Sequence, residues 1–106
     1  MAEDVQMASA AEKWNGKADC MHFFQTLFIK RPDITFVLTR TNSGIYPHWN
    51  SAFETGSWTE AWTEKDGQAK IVGQYFVLWQ YDNLGWRMRT AVFAPLDCLG
   101  DSKFCH

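Results

Sequence analysis

The fold of this chain is decided by residues 49–96, which read WNSAFETGSWTEAWTE (49–64), KDGQ (65–68), AKIVGQYFVLWQY (69–81), DNLG (82–85) and WRMRTAVFAPL (86–96). Three runs rich in β-branched and aromatic residues are separated by two short segments that carry Asp, Asn and Gly. This pattern predicts an antiparallel meander, and Asp66-Gly67 is the stronger of the two turn signals. Each run exceeds the usual strand length of about five or six residues, so we expect a long, strongly curved sheet.

Upstream of the meander, the sequence predicts a helix from Lys17 to Lys30, one full strand and one small strand. Apolar side chains recur there at helical spacing, at Cys20, Phe23, Phe24, Leu27 and Phe28. Arg31-Pro32 ends the helix, because the residue before a proline is disfavoured in helical conformation. Residues 33–41 form the strand, residues 42–44 (Asn-Ser-Gly) a turn, and Val5 with Met7 one small strand. We therefore expect a single α+β domain over residues 1–106, with a curved antiparallel sheet packed against a helix.

Composition excludes several classes of partner. Hydrophobic residues make up 46% of the 106 residues, and six Trp, eight Phe and three Tyr supply a large apolar core. The formal charge of −2 argues against binding to a nucleic-acid backbone, which needs a basic surface. No apolar run approaches the ~20 residues of a membrane helix, and the first residues lack the apolar core of a secretory signal. The sequence therefore predicts a cytoplasmic protein that binds neither nucleic acid nor membrane.

Five short motifs, in this order, resemble the nuclear transport factor 2-like superfamily, which includes ketosteroid isomerase and polyketide cyclases. They are Ala2-Glu3-Asp4-Val5, Gly16-Lys17 before Phe23-Phe24, Ala52-x-Glu54-x-Gly56-x-Trp58, Gly73-x-Tyr75-x-x-x-Trp79, and Gly85-Trp86-Arg87-Met88 running to Phe93. The similarity covers nearly the whole chain and is greater to uncharacterised bacterial members than to any named enzyme. It implies a cone-shaped α+β fold with a ligand cavity on the concave face of the sheet.

The resemblance also implies that the cone is truncated at its N-terminus. Members of the superfamily usually carry a long helix before the segment that matches Ala2-Glu3-Asp4-Val5, and this sequence begins at that segment. A family-type pocket would then be open on one side, which exposes apolar area at a cost of about 25 cal/mol per Å². We expect the helix from Lys17 to Lys30 and the loop around Trp14 to cover it, leaving a small aromatic cavity.

Strand alternation predicts which side chains line that cavity. Tyr75 and Trp79 share one face of the second meander strand with Ile71, Gly73 and Val77, and Phe93 shares the matching face of the last strand with Arg89 and Ala91. Arg40, Glu54 and Arg89 are the polar candidates for contacting an anionic or hydroxylated ligand. A structural ion pair or a solvated sheet edge is the alternative reading of these charges. A bulge near Gly56 would turn Glu54 outward, so its orientation remains open.

The catalytic residues of ketosteroid isomerase are not matched. That enzyme uses an aspartate base, a protonated aspartic acid and a tyrosine donor. The resemblance places the base near Ala8-Ser9 and the second acid near Val77, and it places the tyrosine on the helix that would precede Ala2. The leading hypothesis is therefore a protein that binds a small molecule of unknown identity. A non-catalytic dimeric interaction module with a vestigial cavity is the alternative, and a lyase or isomerase is third.

The opposite face of the meander is also apolar. Phe76 and Leu78 in the second run, with Trp86 and Met88 in the last, form a broad surface by simple alternation. A sheet that is apolar on both faces must be covered on both, and one helix covers only one. The sequence therefore predicts a homodimer through this face, since a two-fold symmetric dimer is the commonest assembly.

Metal and cofactor signals are weak, and we expect neither. Cys98-x6-Cys105-His106 is at most half of a zinc site. Cysteines of a cytosolic protein are thiols by default. The resemblance adds the alternative that Cys98 and Cys105 form a disulfide, because related tails in exported relatives also carry paired cysteines. Both states of these cysteines remain open.

Overall fold

The computed structural model describes residues 1–9 and 12–105. Its elements are β1 (Gln6–Ala8), β2 (Lys13–Asn15), α1 (Lys17–Lys30), β3 (Thr35–Tyr46), β4 (Ser51–Glu64), β5 (Gly67–Asp82) and β6 (Gly85–Leu99), with short 3₁₀ turns at Pro47–Trp49 and Lys103–Cys105. The predicted helix is confirmed at both ends, and the three strands of the meander are confirmed with their two turns. The small strand predicted at Val5 and Met7 is present as β1.

Six strands form one strongly curled sheet in the order β2-β1-β6-β5-β4-β3. The pairs from β3 to β6 are antiparallel, whereas β1 runs parallel to β6, with Met7 opposite Ala91. The sheet is therefore mixed rather than wholly antiparallel as the sequence predicted. A meander signal marks only strands joined by short turns, and β1 joins the sheet from a distant part of the chain. The predicted α+β class is confirmed.

The turn predicted at residues 42–44 is wrong. β3 continues through it, and a bulge between Arg40 and Asn42 takes up one extra residue. The chain reverses instead at Pro47–Trp49, where Asn50 adopts a left-handed conformation with φ of 51°. Gly44 lies within the strand opposite Phe53, and the Phe53 ring occupies the space that a side chain at Gly44 would fill.

The last strand is longer than the sequence suggested. We expected the chain to leave the sheet after Pro95, but β6 extends to Leu99 and pairs with β5 as far as Lys70. Pro95 is tolerated because β1 pairs with β6 only at residues 90–92, so β6 is an edge strand at this point. Beyond it, Ser102 Oγ and Lys103 N each donate a 2.8 Å hydrogen bond to the Asp66 carboxylate. The tail is thereby fixed to the turn between β4 and β5.

A second bulge, at Arg89, decides which side chains of β6 face the helix. Val77 lies opposite Ala91, but Trp79 lies opposite Met88, so one extra residue separates the two pairs. The residues of β6 that precede Arg89 therefore face the side of the sheet opposite to the one that simple alternation assigns to them. Trp86 and Met88 share the face of Trp79, which corrects the prediction that placed them with Phe76 and Leu78. We call the α1 side of the sheet the inner face and the opposite side the outer face.

The core lies where the N-terminal segment and α1 meet the inner face. Its fully buried members are Val5, Met7, Cys20, Trp58, Tyr75, Val77 and Ala91. Val5 and Cys20 are completely inaccessible, so the first residues of the chain are an integral part of the packing. Ala2 N donates to Met88 O at 2.8 Å and Gly16 N donates to Val5 O at 2.7 Å, which anchors this segment between β6 and the start of α1.

Candidate functional site

A cleft of about 370 Å³ lies between α1 and the inner face of the sheet. Its helix side is formed by Phe23, Phe24 and Leu27, together with Met7, Ser9 and Trp14 from the N-terminal segment. Its sheet side is formed by Phe36, Leu38, Trp58, Glu60, Ile71, Phe93 and Pro95. We call this space the helix–sheet cleft. The cleft has a largely aromatic lining, and α1 and Trp14 lie on its helix side.

Aromatic contacts hold the helix side of the cleft in place. The Trp14 ring centroid lies 4.2 Å from that of Phe23, and Phe23 lies 5.3 Å from Phe24. The row continues through Phe28, 6.2 Å from Phe24, to Phe36 on β3 at 6.4 Å. Offset and edge-to-face pairs at these separations are favourable arrangements for aromatic rings. The row spans the cleft from the N-terminal segment to the far edge of the sheet.

Of the three aromatic residues predicted to form the pocket, Phe93 lines the cleft and the other two do not. Tyr75 is only 3% exposed and belongs to the core, with its ring 6.3 Å from that of Phe93. Trp79 is partly buried and packs against the core. All three share the inner face as predicted. Val5 and Met7 of the N-terminal segment belong to the same core cluster as Tyr75, and Trp79 packs against that cluster.

The predicted polar residues Glu54 and Arg40 lie around the Tyr75 hydroxyl. Glu54 faces inward, because the pairing of β4 with β5 is unbroken from Ser51 to Glu64. Its Oε2 accepts a 2.6 Å hydrogen bond from Tyr75 Oη. Burial and this carboxylate raise the pKa of Tyr75 to about 12, and the nearby positive charge of Arg40 opposes the rise. The group is a buried phenol held neutral, with one carboxylate and one guanidinium beside it.

Arg89, the third predicted polar residue, lies apart from this group. Its guanidinium forms an ion pair with Asp4 at 2.7 Å and donates to Gln80 Oε1 at 2.8 Å. The sequence placed Arg89 on the inner face, with Glu54 and Arg40 as candidate partners. The bulge at Arg89 takes its side chain out of the alternation on which that expectation rested. Arg89 therefore ties the N-terminal segment to β5 and β6.

Glu60 is a cleft residue that the sequence reasoning missed. It stands on the inner face of β4, two positions after Trp58, whose Nε1 donates to Glu60 Oε1 at 3.2 Å. The same arrangement recurs four residues later, where Trp62 Nε1 donates to Glu64 Oε1 at 2.8 Å. The signal in the sequence was the repeat Trp-x-Glu at 58–60 and 62–64, which places each carboxylate beside an indole on one face of a strand.

The outer face carries a partly exposed aromatic row. The ring of Tyr46 stacks at 5.8 Å on that of Phe53, which in turn stacks at 6.4 Å on that of Phe76. Phe76 lies opposite Val92 on β6, and Tyr46, Phe76 and Val92 are 49%, 39% and 42% exposed. A shallow groove of about 420 Å³ lies beside the row, lined in part by Thr55, Gln74 and Ala94. We call these features the outer aromatic row and its groove.

Cys98 and Cys105 form a disulfide, which decides between the two states that the sequence left open. Within residues 1–9 and 12–105, no group of three or more His, Cys, Asp or Glu side chains is placed to hold a metal ion. His106, the remaining member of the possible zinc half-site, lies outside the described residues. Cys20 is a thiol buried in the core, and this burial raises its pKa. Among the described helices, none is long and apolar enough to cross a membrane.

Comparison with known proteins identifies the fold but not a close relative. No family model matches the sequence, and no curated protein matches it. The first of three similar solved structures is an NTF2-like protein with a cystatin-like fold from Novosphingobium aromaticivorans. It is 14% identical, the match covers 98% of this chain and 68% of that one, and the TM-score is 0.77.

The other two carry names that suggest enzymes. A candidate aromatic ring hydroxylase from Novosphingobium aromaticivorans is 17% identical over 94% of this chain and 73% of that one, with a TM-score of 0.80. A candidate dehydratase of the NTF2-like family from Streptomyces avermitilis is 12% identical over 87% and 65%, with a TM-score of 0.73. Identities this low establish similarity of fold alone. The chain therefore has the nuclear transport factor 2-like fold that the sequence motifs suggested.

Proposed function

We propose that this protein binds a small, largely apolar molecule in the helix–sheet cleft. The observation that carries the proposal is the lining of that cleft, where Phe23, Trp58 and Phe93 stand among other apolar groups around about 370 Å³. Ligand pockets are typically roughly 300–1,000 Å³ and mostly apolar, with a few placed polar groups. The cleft fits the lower end of that range, which suits a compact ligand rather than one of steroid size.

The structural neighbours support the proposal at the level of fold. Two similar structures carry names that suggest a hydroxylase and a dehydratase, which is compatible with a ligand-binding role for this fold. Whether this chain also catalyses a reaction is a separate matter. The resemblance placed the two catalytic acids near Ala8-Ser9 and near Val77, and none of these residues is an acid. We therefore propose binding as the function. A dimeric interaction module is the second candidate, and a lyase or isomerase is the third.

Thermal denaturation with a panel of ligands tests the proposal. We expect monocyclic aromatic compounds such as 2-phenylethanol to raise the melting temperature and polycyclic compounds to leave it unchanged. Leu27→Trp places a bulky ring in the cleft and should abolish the effect. Ile29→Trp is the matched control, because Ile29 lies on the same helix, is 83% exposed and does not line the cleft. Stabilisation by polycyclic ligands alone, or equal behaviour of the two variants, would contradict the proposal.

A second candidate function is that of a dimeric interaction module, and the outer aromatic row favours it. The central outer-face positions Phe53, Thr55, Gln74, Phe76 and Val92 carry no charge. Two copies can therefore meet across this surface without like-charge repulsion. We propose a second copy of this chain as the occupant. The surface differs from the one predicted from sequence, since Tyr46 and Phe53 stand beside Phe76 and Leu78 in place of Trp86 and Met88.

A cytoplasmic location remains a prediction. The disulfide between Cys98 and Cys105 is a kind of bond that persists mainly in oxidising compartments, and it argues against that location. Fractionation of cells that express the natural gene, with the thiol state trapped on lysis, would decide between the two.

A further inference from the structure

The charge of the helix–sheet cleft points to the kind of ligand that it binds. Glu60 is the one ionisable side chain among the described residues that line it. On the inner face its cross-strand neighbours are Phe36 on β3 and Ile71 on β5, so the carboxylate is flanked by apolar groups. Glu60 is half-buried, so its carboxylate is partly shielded from water and a cation at this position would stabilise it.

The protein supplies little compensation for this carboxylate. In the part of the chain that the structure describes, its one hydrogen bond comes from Trp58 Nε1, to Oε1 at 3.2 Å. An ionised carboxylate offers about four acceptor positions on its two oxygens. Arg31, at the end of α1, forms no ion pair with Glu60 within the described residues, and its guanidinium lies 4.0 Å over the Trp62 ring instead. Glu60 Oε2 is left to accept from a bound molecule.

The surrounding rings favour a positive charge as well. Trp14, Phe23, Trp58 and Phe93 line the cleft, and the faces of aromatic rings attract cations, with Trp the strongest. An anionic ligand would meet the Glu60 charge without a cation to offset it. A neutral ligand would gain apolar contact and could donate at most an uncharged hydrogen bond to the carboxylate, which is weaker than a hydrogen bond from a cation.

We propose that the cleft binds a compact organic amine as its ammonium ion, with the ammonium on Glu60 and the carbon skeleton among the aromatic side chains. This inference rests on the proposed function, because it requires that the cleft binds a ligand at all. It adds the class of ligand, a monocation with a small apolar body, and it assigns a binding role to Glu60. No reaction is part of the proposal.

Titration with a matched pair of ligands tests it. Phenethylamine, an ammonium ion at neutral pH, and 2-phenylethanol, its neutral counterpart, have the same ring and chain. We expect phenethylamine to quench tryptophan fluorescence with a Kd lower by about tenfold or more, the factor expected of one charge-assisted hydrogen bond. Glu60→Gln should remove this preference and leave binding of 2-phenylethanol unchanged. Glu64→Gln is the matched control, because it removes the carboxylate of the second Trp-x-Glu pair, outside the cleft.

The outcomes separate the two proposals. If neither ligand binds, both the proposed function and this inference are overturned. If both bind equally to the natural protein, the cleft binds ligands but ammonium recognition is wrong, and this conclusion does not depend on whether Glu60→Gln folds. If the preference exists but survives in Glu60→Gln, or disappears equally in Glu64→Gln, Glu60 is not its source and the assignment fails.

Discussion

The Tyr75 hydroxyl donates a 2.6 Å hydrogen bond to the Glu54 carboxylate across two adjacent strands. Tyr75 is almost fully buried, and its ring lies over Gly56, where a side chain would stand 2.9 Å from both Cε1 and Oη of the tyrosine. The glycine in the strand thus makes room for the ring, and the ring brings its hydroxyl to Glu54. This contact connects a core residue to the charged residues Glu54 and Arg40 on the inner face.

Tyr75→Phe should destabilise the protein at neutral pH by about 1–2 kcal/mol, because a hydrogen bond to a charged group is lost. The tyrosine's contribution depends on pH, since its pKa is raised from 10.0 to about 12. A raised pKa contributes stability that is fully present below pH 10 and is lost as the pH rises toward 12. The difference between the natural protein and Tyr75→Phe should therefore shrink over that interval in urea unfolding.

Tyr81→Phe is the control for this experiment, because Tyr81 is 51% exposed. The free energy of unfolding of Tyr81→Phe should stay close to that of the natural protein at every pH. A difference for Tyr75→Phe that is constant between pH 10 and 12 would show that the hydroxyl is not held neutral by burial and Glu54.

Gly56→Ala should lower the free energy of unfolding by about 1–3 kcal/mol, as overpacking of a filled interior does. The new methyl group would collide with the Thr39 carbonyl oxygen, a backbone atom that cannot move freely, and with the Tyr75 ring. Ser57→Ala, at the next and exposed position, should change stability little. Chemical denaturation of the two variants measures the difference. Equal stabilities would contradict the prediction, because they would show that β3 and the Tyr75 ring move aside for the new methyl group without loss of stability.

Under denaturing conditions without reductant, thiol titration should find one reactive cysteine, Cys20. Cys98 and Cys105 are bridged, whereas Cys20 is a buried thiol that should not react in the native protein. The bridge closes a short loop, so replacing both cysteines by Ser should cost about 2–3 kcal/mol by loss of the chain-entropy term. Three reactive thiols in the unreduced, denatured protein would be incompatible with the bridge.

Asp66→Asn should weaken the protein at neutral pH and make its stability less sensitive to acid. Hydrogen bonds from Lys103 N and Ser102 Oγ lower the pKa of Asp66 below its ordinary value of 3.8. A lowered pKa contributes stability that is present above pH 3.8 and is lost as the pH falls through the folded-state pKa. Acid titration of unfolding checks this, with Asp101→Asn as the neighbouring control. Identical acid profiles for the natural protein and Asp66→Asn would refute the role of this carboxylate.

Phe76→Glu should convert a dimer into a monomer if two copies meet through the outer aromatic row. A stable interface buries at least about 1,000 Å² in total, and a charge at its centre would be desolvated without a partner. Trp86→Glu is the control, because Trp86 lies on the inner face beside Tyr81, with ring centroids 5.3 Å apart. Light scattering at micromolar concentration distinguishes the states, and a monomeric natural protein would count against this assembly.

The sequence by itself determined the helix from Lys17 to Lys30 and the three strands of the meander. These elements depend on local periodicity and on turn residues, and both are written in consecutive positions. It also predicted that Tyr75, Trp79 and Phe93 share one face. This prediction holds because Tyr75 and Trp79 lie on the same side of β5 and Phe93 lies opposite Tyr75 on β6. The packing of α1 on the sheet followed from the apolar stripe of the helix.

The tertiary structure alone decided the positions of the bulges and the parallel pairing of β1 with β6. A bulge adds one residue to one strand, so it depends on the partner strand and leaves no regular pattern in its own. The bulge at Arg89 moved Trp86 and Met88 to the inner face and turned Arg89 toward Asp4. The bulge between Arg40 and Asn42 replaced a predicted turn. The position of Glu60 in the cleft could not be predicted from its own strand. Its neighbours Phe36 and Ile71 lie on other strands, so its surroundings exist only in the folded sheet.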